Sequence, residues 1–319
     1  MRLEAWDGIP SSDAIDHQGK AMTRMTLITP SFAPDFDLCV DLRRSVLDNA
    51  PDSASHQIIV YREDLKLFDR LAGPRTHIQC KADFLPTSFV VVPFTDFAIN
   101  LRRPFPPVRG WILQQVVKLA AVAASECDVV VVVDSDVEFI KPFAVETFAR
   151  DGCVRFYRKP NGVDERLPRH VIWHRTARAL LGLPPAEPPY PDYIASLLAW
   201  DPKIVRQMLD HVVAVTGRPW PTAIAGQLHF SESTLYGVFV DNVLGAPANS
   251  FVSDDPLCHP HYTTPLTGET AGKFLCDLKH SDIAFMISAK SRTPLDVRRQ
   301  ALAAHKLAQN PNVRLEAGT

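Results

Sequence analysis

The chain has 319 residues, 46% hydrophobic and 22% charged, with a formal net charge of −2. That is enough for one large α/β domain or two small ones, with an ordinary soluble composition. The charge excludes a whole-surface field that would hold nucleic acid or an anionic membrane, and no run of about 18 apolar residues marks a membrane-spanning helix.

Residues 1–23 are polar and mixed in charge, lack the apolar core of a signal peptide, and read as a loosely ordered leader. A cytoplasmic location follows by default, and peripheral contact with an inner membrane is compatible with it. Residues 25–32 form a short apolar strand stopped by proline. Residues 36–50 have helical spacing, with Phe36, Cys39, Val40, Leu42 and Val46 on one side. A strand at 57–61, a helix at 64–71 and a strand at 76–80 complete a βαβαβ pattern, the signature of a doubly wound parallel sheet. Residues 84–107 read as irregular, rich in Pro, Phe and Arg. Residues 111–124 form a helix that feeds the most informative stretch of the chain.

That stretch is Val129–Val133, five valines followed by Asp134-Ser135-Asp136. Consecutive β-branched residues favour a strand, and one apolar on both faces belongs inside a covered parallel sheet. Ligands of open α/β sheets bind beyond the carboxyl ends of strands. Two acids there can share a hard divalent cation, which takes oxygen ligands and bridges phosphates. The plainer alternative is a pair of solvated turn residues or a helix cap. Beyond it, residues 137–143 read as extended, 153–158 as a strand, 169–181 as a helix or a helix with a strand, and 193–200 as an apolar segment. Helices are expected at 204–215 and 231–239, a polar loop at 254–264, a strand at 284–288 and a closing helix at 294–309. No repeat is visible. The expected division is a leader at 1–23 and one domain at 24–319, with a nucleotide-facing first half at 24–145 and a variable second half at 146–319, which the resemblance below makes the acceptor-binding half. The six cysteines form no C-x-x-C pair, which argues against a zinc site or a disulfide framework.

Four segments occur in order: residues 26–32, Gly110-Trp111-x-x-Gln114-Gln115-x-x-Lys118-Leu119, Asp134-Ser135-Asp136-Val137, and Ser231-Glu232-x-x-Leu235-Tyr236-Gly237. This set resembles the bacterial family defined by domain of unknown function 6492, treated as glycosyltransferases of the GT-A fold. The resemblance implies a single α/β domain, Rossmann-like, its mainly parallel sheet covered by helices on both faces. It implies transfer of a sugar from a UDP- or GDP-linked donor to a saccharide or other hydroxyl acceptor, in bacterial surface polysaccharide or glycoconjugate synthesis. It also implies Mn²⁺ or Mg²⁺ on the donor diphosphate.

In that reading Asp136 contacts the metal, and Asp134 reaches the ribose or the metal through water. A third metal ligand would come from His280 or His259, then His261, although a lone histidine is more often structural. Glu232 is the candidate base, and the helix dipole alone would also favour an acid there. Thr29, Pro30 and Ser31 would flank the donor base. Gln114, Gln115, Lys118 and Arg109 would touch its phosphate or sugar, or simply face solvent. Trp173, Trp200, Trp220 and Tyr236 could stack on sugars, although core packing is the commoner use of such rings. A nucleotidyltransferase is the runner-up, but its Gly-rich loop is missing from Thr29-Pro30-Ser31-Phe32-Ala33-Pro34. A haloacid-dehalogenase-type phosphatase would need Thr where Glu138 stands. A non-catalytic carbohydrate-binding protein is the reading from another class.

Overall fold

The computed structural model describes residues 23–95, 97–245 and 250–309. Apart from Thr23, the expected leader lies outside them. In chain order the first half holds β1 (Met25–Pro30), α1 (Phe36–Asn49), β2 (Ser55–Val60), α2 (Leu65–Phe68) and β3 (Thr76–Cys80). There follow β4 (Phe89–Val91), β5 (Phe97–Asn100), β6 (Arg103–Arg109), α3 (Gly110–Ala124), β7 (Val129–Val133) and β8 (Val137–Phe139). The second half opens with β9 (Ala149–Arg150), β10 (Cys153–Tyr157), β11 (Lys159–Val163), α4 (Pro168–Leu180), β12 (Tyr190–Asp192) and β13 (Leu197–Trp200). It continues through α5 (Pro202–Thr216), α6 (Trp220–Ala225), α7 (Glu232–Val238), β14 (Ser250–Ser253), β15 (Cys258–His261), α8 (Gly268–Cys276), β16 (Ala284–Ile287) and α9 (Leu295–Gln309).

The central sheet has five strands in the order β13-β7-β1-β2-β3. The pairs β7·β1, β1·β2 and β2·β3 are parallel, and β13 runs antiparallel to β7. The valine strand is therefore interior, as its two-sided apolarity requires. Successive side chains point to opposite faces. Val130 and Val132 enter one core with α3, α5 and α7, while Val129, Val131 and Val133 enter another with Leu42 and Val46 of α1. The fold is α/β, with a parallel-rich sheet and helices on both faces.

Three segments differ from the sequence reading. The region expected to be irregular holds an antiparallel meander, β4-β5-β6. Its three prolines, Pro104, Pro106 and Pro107, sit where the β5·β6 register shifts, so they remove donors the ladder does not need. The polar loop expected at 254–264 contains β15, which pairs parallel with β16. The apolar segment at 193–200 supplies β13 at the sheet edge.

The glycine of the Leu235-Tyr236-Gly237 segment is explained by close approach. A Cβ at Gly237 would lie 2.1 Å from Cγ of Tyr193. That ring is buried, and its hydroxyl donates to Asp241 at 2.6 Å. Gly237→Ala should cost about 3 kcal/mol, an overpacking penalty at the upper end of the usual range. A urea midpoint unchanged from wild type would refute the contact.

Fully buried His56, on β2, is held neutral. Burial first and Arg43 second push its pKa down to about 3, and its Nε2 lies 2.9 Å from Thr29 Oγ1. The folded value is below the unfolded one, so stability is lost as pH falls from about 6.5 towards 3. Carboxyls raised by burial, such as Asp136 and Glu138, act in the opposite sense over part of that window. The diagnostic quantity is the stability gap between wild type and His56→Gln. It should narrow below pH 6.5 by roughly 1.4 kcal/mol per pH unit; a gap independent of pH would contradict a neutral buried imidazole.

Candidate functional site

Asp134 follows β7 directly, so the end of the strand sets its place. Three separate elements meet there. Lys118, on α3, donates from Nζ to Asp134 Oδ1 at 2.8 Å and lies 3.5 Å from Glu232 Oε1. Glu232 opens α7, whose N-cap Ser231 accepts the Thr234 amide at 3.2 Å. Gln115, three residues before Lys118 on the same helix, accepts the Glu232 amide at 2.8 Å through Oε1. One helix thus holds both the backbone and the side chain of Glu232.

Glu232 and Lys118 are buried, whereas the Asp134 side chain is 50% exposed. Burial raises the Glu232 carboxyl above its ordinary value, against the opposing pull of Lys118. Burial alone would lower the Lys118 ammonium, but Asp134 and then Glu232 outweigh it, and its pKa is raised. Lys118 therefore stays charged between two acids.

Asp136 accepts the Ala289 amide at 2.8 Å, just beyond β16. Burial first and Asp134 second push its carboxyl up to about 6. A third acid joins this end. Asp35 accepts from Ser135 Oγ at 3.3 Å; burial raises its pKa, and Asp134 adds to the rise. Buried Arg298 of α9 shares a small cavity with Asp136, Asp41 and Glu138. Neither Asp35 nor Arg298 was evident in the sequence, because each arrives from a distant segment with no motif around it.

The contacts of the three histidines lie with other residues. His259 packs on Phe274 of α8, ring centroids 4.8 Å apart. His261 also contacts Phe274 and holds its Nε2 2.7 Å from the Thr264 carbonyl. His280 is exposed, and its carbonyl accepts from Lys141 at 2.9 Å, beyond the end of β8 that leads away from Asp136. Among the described residues no group of three or more His, Cys, Asp or Glu side chains is arranged to hold a metal ion. The oxygen-rich end formed by Asp134 and Asp136, crowded by Asp35, does suit a hard divalent cation in donor chemistry. Its remaining ligands would have to be water and phosphate oxygens.

Of the other expected contacts, Thr29 and Arg109 already have partners within the protein. Thr29, Pro30 and Ser31 are buried; Thr29 is bonded to His56, and Ser31 lies beside the Cys39 thiol. The Arg109 guanidinium donates to the Leu228 carbonyl. Gln114 is half-buried. Trp200 stacks on Tyr236 in the core, and Trp220 packs against the same core. Trp173 is buried beside Trp111 at 5.4 Å, with the Arg169 guanidinium over both rings.

Comparison with curated proteins gives no match. Solved structures with partial likeness include an active-site mutant of LgtC, 13% identical, covering 88% of this chain and 95% of that one at a TM-score of 0.43. Another is mouse xyloside xylosyltransferase 1 in its apo form, 10% identical, covering 85% and 100% at a TM-score of 0.44. The model of a family of unknown function, DUF6492, matches residues 43–264, a span that includes Lys118, Asp134, Asp136 and Glu232. Matched over more than half its length, the chain belongs to the DUF6492 family.

Proposed function

We propose that the protein is a metal-dependent glycosyltransferase of GT-A type. It moves a sugar from a nucleoside-diphosphate donor to a hydroxyl acceptor, in the making of a bacterial surface polysaccharide or glycoconjugate. The observation that carries this reading is the Asp134–Lys118–Glu232 chain at the carboxyl end of an interior parallel strand, with Asp136 alongside.

The roles follow from charge and burial. The acceptor oxygen attacks the anomeric carbon, and its proton passes to the Glu232 carboxylate. The bond to the diphosphate breaks, and its electron pair leaves with the phosphate oxygen. A carboxyl raised by burial is a stronger base than a solvated one, and Lys118 keeps it ionised until it is needed. Asp134 and Asp136 would hold Mn²⁺ or Mg²⁺, which offsets charge on the leaving diphosphate. Lys118 is also close enough to Asp134 to meet that diphosphate, so donor binding loosens its hold on Glu232.

The direct test is release of nucleoside diphosphate from a panel of UDP- and GDP-sugars, with Mn²⁺ and candidate acceptors. Acceptor-stimulated release supports transfer. Pyrophosphate-dependent nucleotide-sugar synthesis would indicate a nucleotidyltransferase instead. Sugar binding without turnover of any donor would indicate a non-catalytic protein.

A further inference from the structure

An antiparallel sheet with one solvated face places polar side chains outward. The meander β4-β5-β6 does not. Its inward positions Phe89, Ala98 and Val108 are buried in the α3 core. Its outward positions include Val90, paired with Ile99, and Phe97, paired with Arg109. The loops and the bulged strand add larger projections: Phe94 is 90% exposed, Phe105 82% and Leu101 62%. Isolated exposed apolar residues need no explanation, but several on one small sheet mark an interaction surface.

From residue 84 to residue 110 the sequence holds three arginines, Arg102, Arg103 and Arg109, and one acid, Asp96. The whole-chain charge of −2 hides this local excess. Arg109 is held by the Leu228 carbonyl and Arg103 lies against Gly226, which leaves Arg102 as the cation beside the rings, while Glu63 accepts the Phe94 amide. Exposed aromatic rings beside an arginine suit the boundary of an anionic bilayer, where rings enter the headgroup region and guanidinium groups meet lipid phosphate. No helix among the described residues is long and apolar enough to cross a membrane, so attachment through them would be peripheral.

We propose that the outer face of β4-β5-β6, with Phe94, Leu101, Phe105 and Arg102 at its rim, docks the protein on an anionic phospholipid surface. The meander leads through Arg109 straight into α3, and Lys118 lies nine residues further on. At the helical rise per residue this puts the docking face roughly 14 Å along the helix from the acid cluster. Resting on the proposed glycosyl transfer, the consequence is that the acceptor is presented at a bilayer surface. The docking itself does not depend on that reading.

The test is co-sedimentation of the full chain with vesicles of phosphatidylcholine alone and of phosphatidylcholine mixed with phosphatidylglycerol. Binding should favour the anionic vesicles by about tenfold or more and weaken with added salt. The double substitution F94S/F105S should lower binding by about tenfold or more, and R102E by roughly tenfold. These side chains are exposed, so melting temperature and nucleoside-diphosphate binding should be unchanged. A failure of glycosyl transfer would appear in the latter measurement alone. Absence of vesicle binding, equal binding to both compositions, or binding unaffected by F94S/F105S overturns the proposal. A concentration-dependent dimer abolished by F94S/F105S, without vesicle binding, assigns the face to a second copy of the chain.

Discussion

Glu232→Gln is expected to lower turnover by about 10²- to 10⁴-fold, the usual loss for a general base. The amide keeps the size of the side chain but cannot take the acceptor's proton. The Glu232 backbone amide remains bonded to Gln115, so the start of α7 should hold its place. Donor affinity should change little, because Glu232 lies behind Lys118 as seen from Asp134. The loss should therefore fall on kcat rather than on the donor KM. Near-normal turnover would remove Glu232 as the base. Asp241 would be a poor substitute, since it already accepts from Arg158 and from the Tyr193 hydroxyl, both at 2.6 Å.

Lys118→Met is expected to lower stability strongly and in a pH-dependent way. Removing one partner of a buried ion pair leaves the other charge uncompensated, at a cost of about 3–5 kcal/mol. Asp134 is half exposed and solvent screens it, so the lower figure, about 3 kcal/mol, is expected at pH 8. The pH dependence carries the sign. The Glu232 carboxyl is already raised above its ordinary value of 4.5, and without Lys118 it rises further. A carboxyl raised in the folded state costs stability above its folded pKa, and the cost vanishes as pH falls below the unfolded value. The deficit of Lys118→Met against wild type should therefore be greater at pH 8 than at pH 5, in urea or thermal unfolding. Adding Glu232→Gln to Lys118→Met should restore part of the loss, a coupling a double-mutant cycle reads directly. A deficit equal at both pH values and untouched by the second substitution would show that Lys118 matters for packing alone.

How much of this was legible in the sequence depends on whether the signal was local. β7 announces itself through five valines, and α3 through Ile112, Val116 and Leu119 on one side. The Asp134-Ser135-Asp136 motif and Glu232 were legible because each closes or opens a regular element. The meander was hidden because its outward positions are apolar and its last strand is rich in proline, so the usual alternation is missing. β15 was hidden because Cys258-His259-Pro260-His261 looks like a loop; its hydrogen bonds come from β16, a partner sequence cannot indicate. The histidines were ranked by their neighbours in sequence; in the fold two of them pack on Phe274, and the His280 carbonyl accepts from Lys141. Asp35 follows β1 and meets the acids only because β1 lies beside β7. Lys118 was expected to meet phosphate; its position between Asp134 and Glu232 is a fact of three-dimensional assembly.

The central claim is that Asp134 and Asp136 form a cation-assisted diphosphate site. It is tested most directly by the melting temperature of the full chain with UDP, GDP and their sugar conjugates, with and without Mn²⁺, for wild type and Asp136→Ala. Binding to the native state raises the melting temperature by linkage, about 2.7 kcal/mol of stability at a ligand concentration a hundred times the Kd. At least one nucleotide should stabilise wild type clearly more with Mn²⁺ than without. Asp136→Ala should fold and lose that Mn²⁺-dependent increment. Stabilisation by nucleotide that is indifferent to Mn²⁺, or an Asp136→Ala variant that keeps the full increment, would contradict the account.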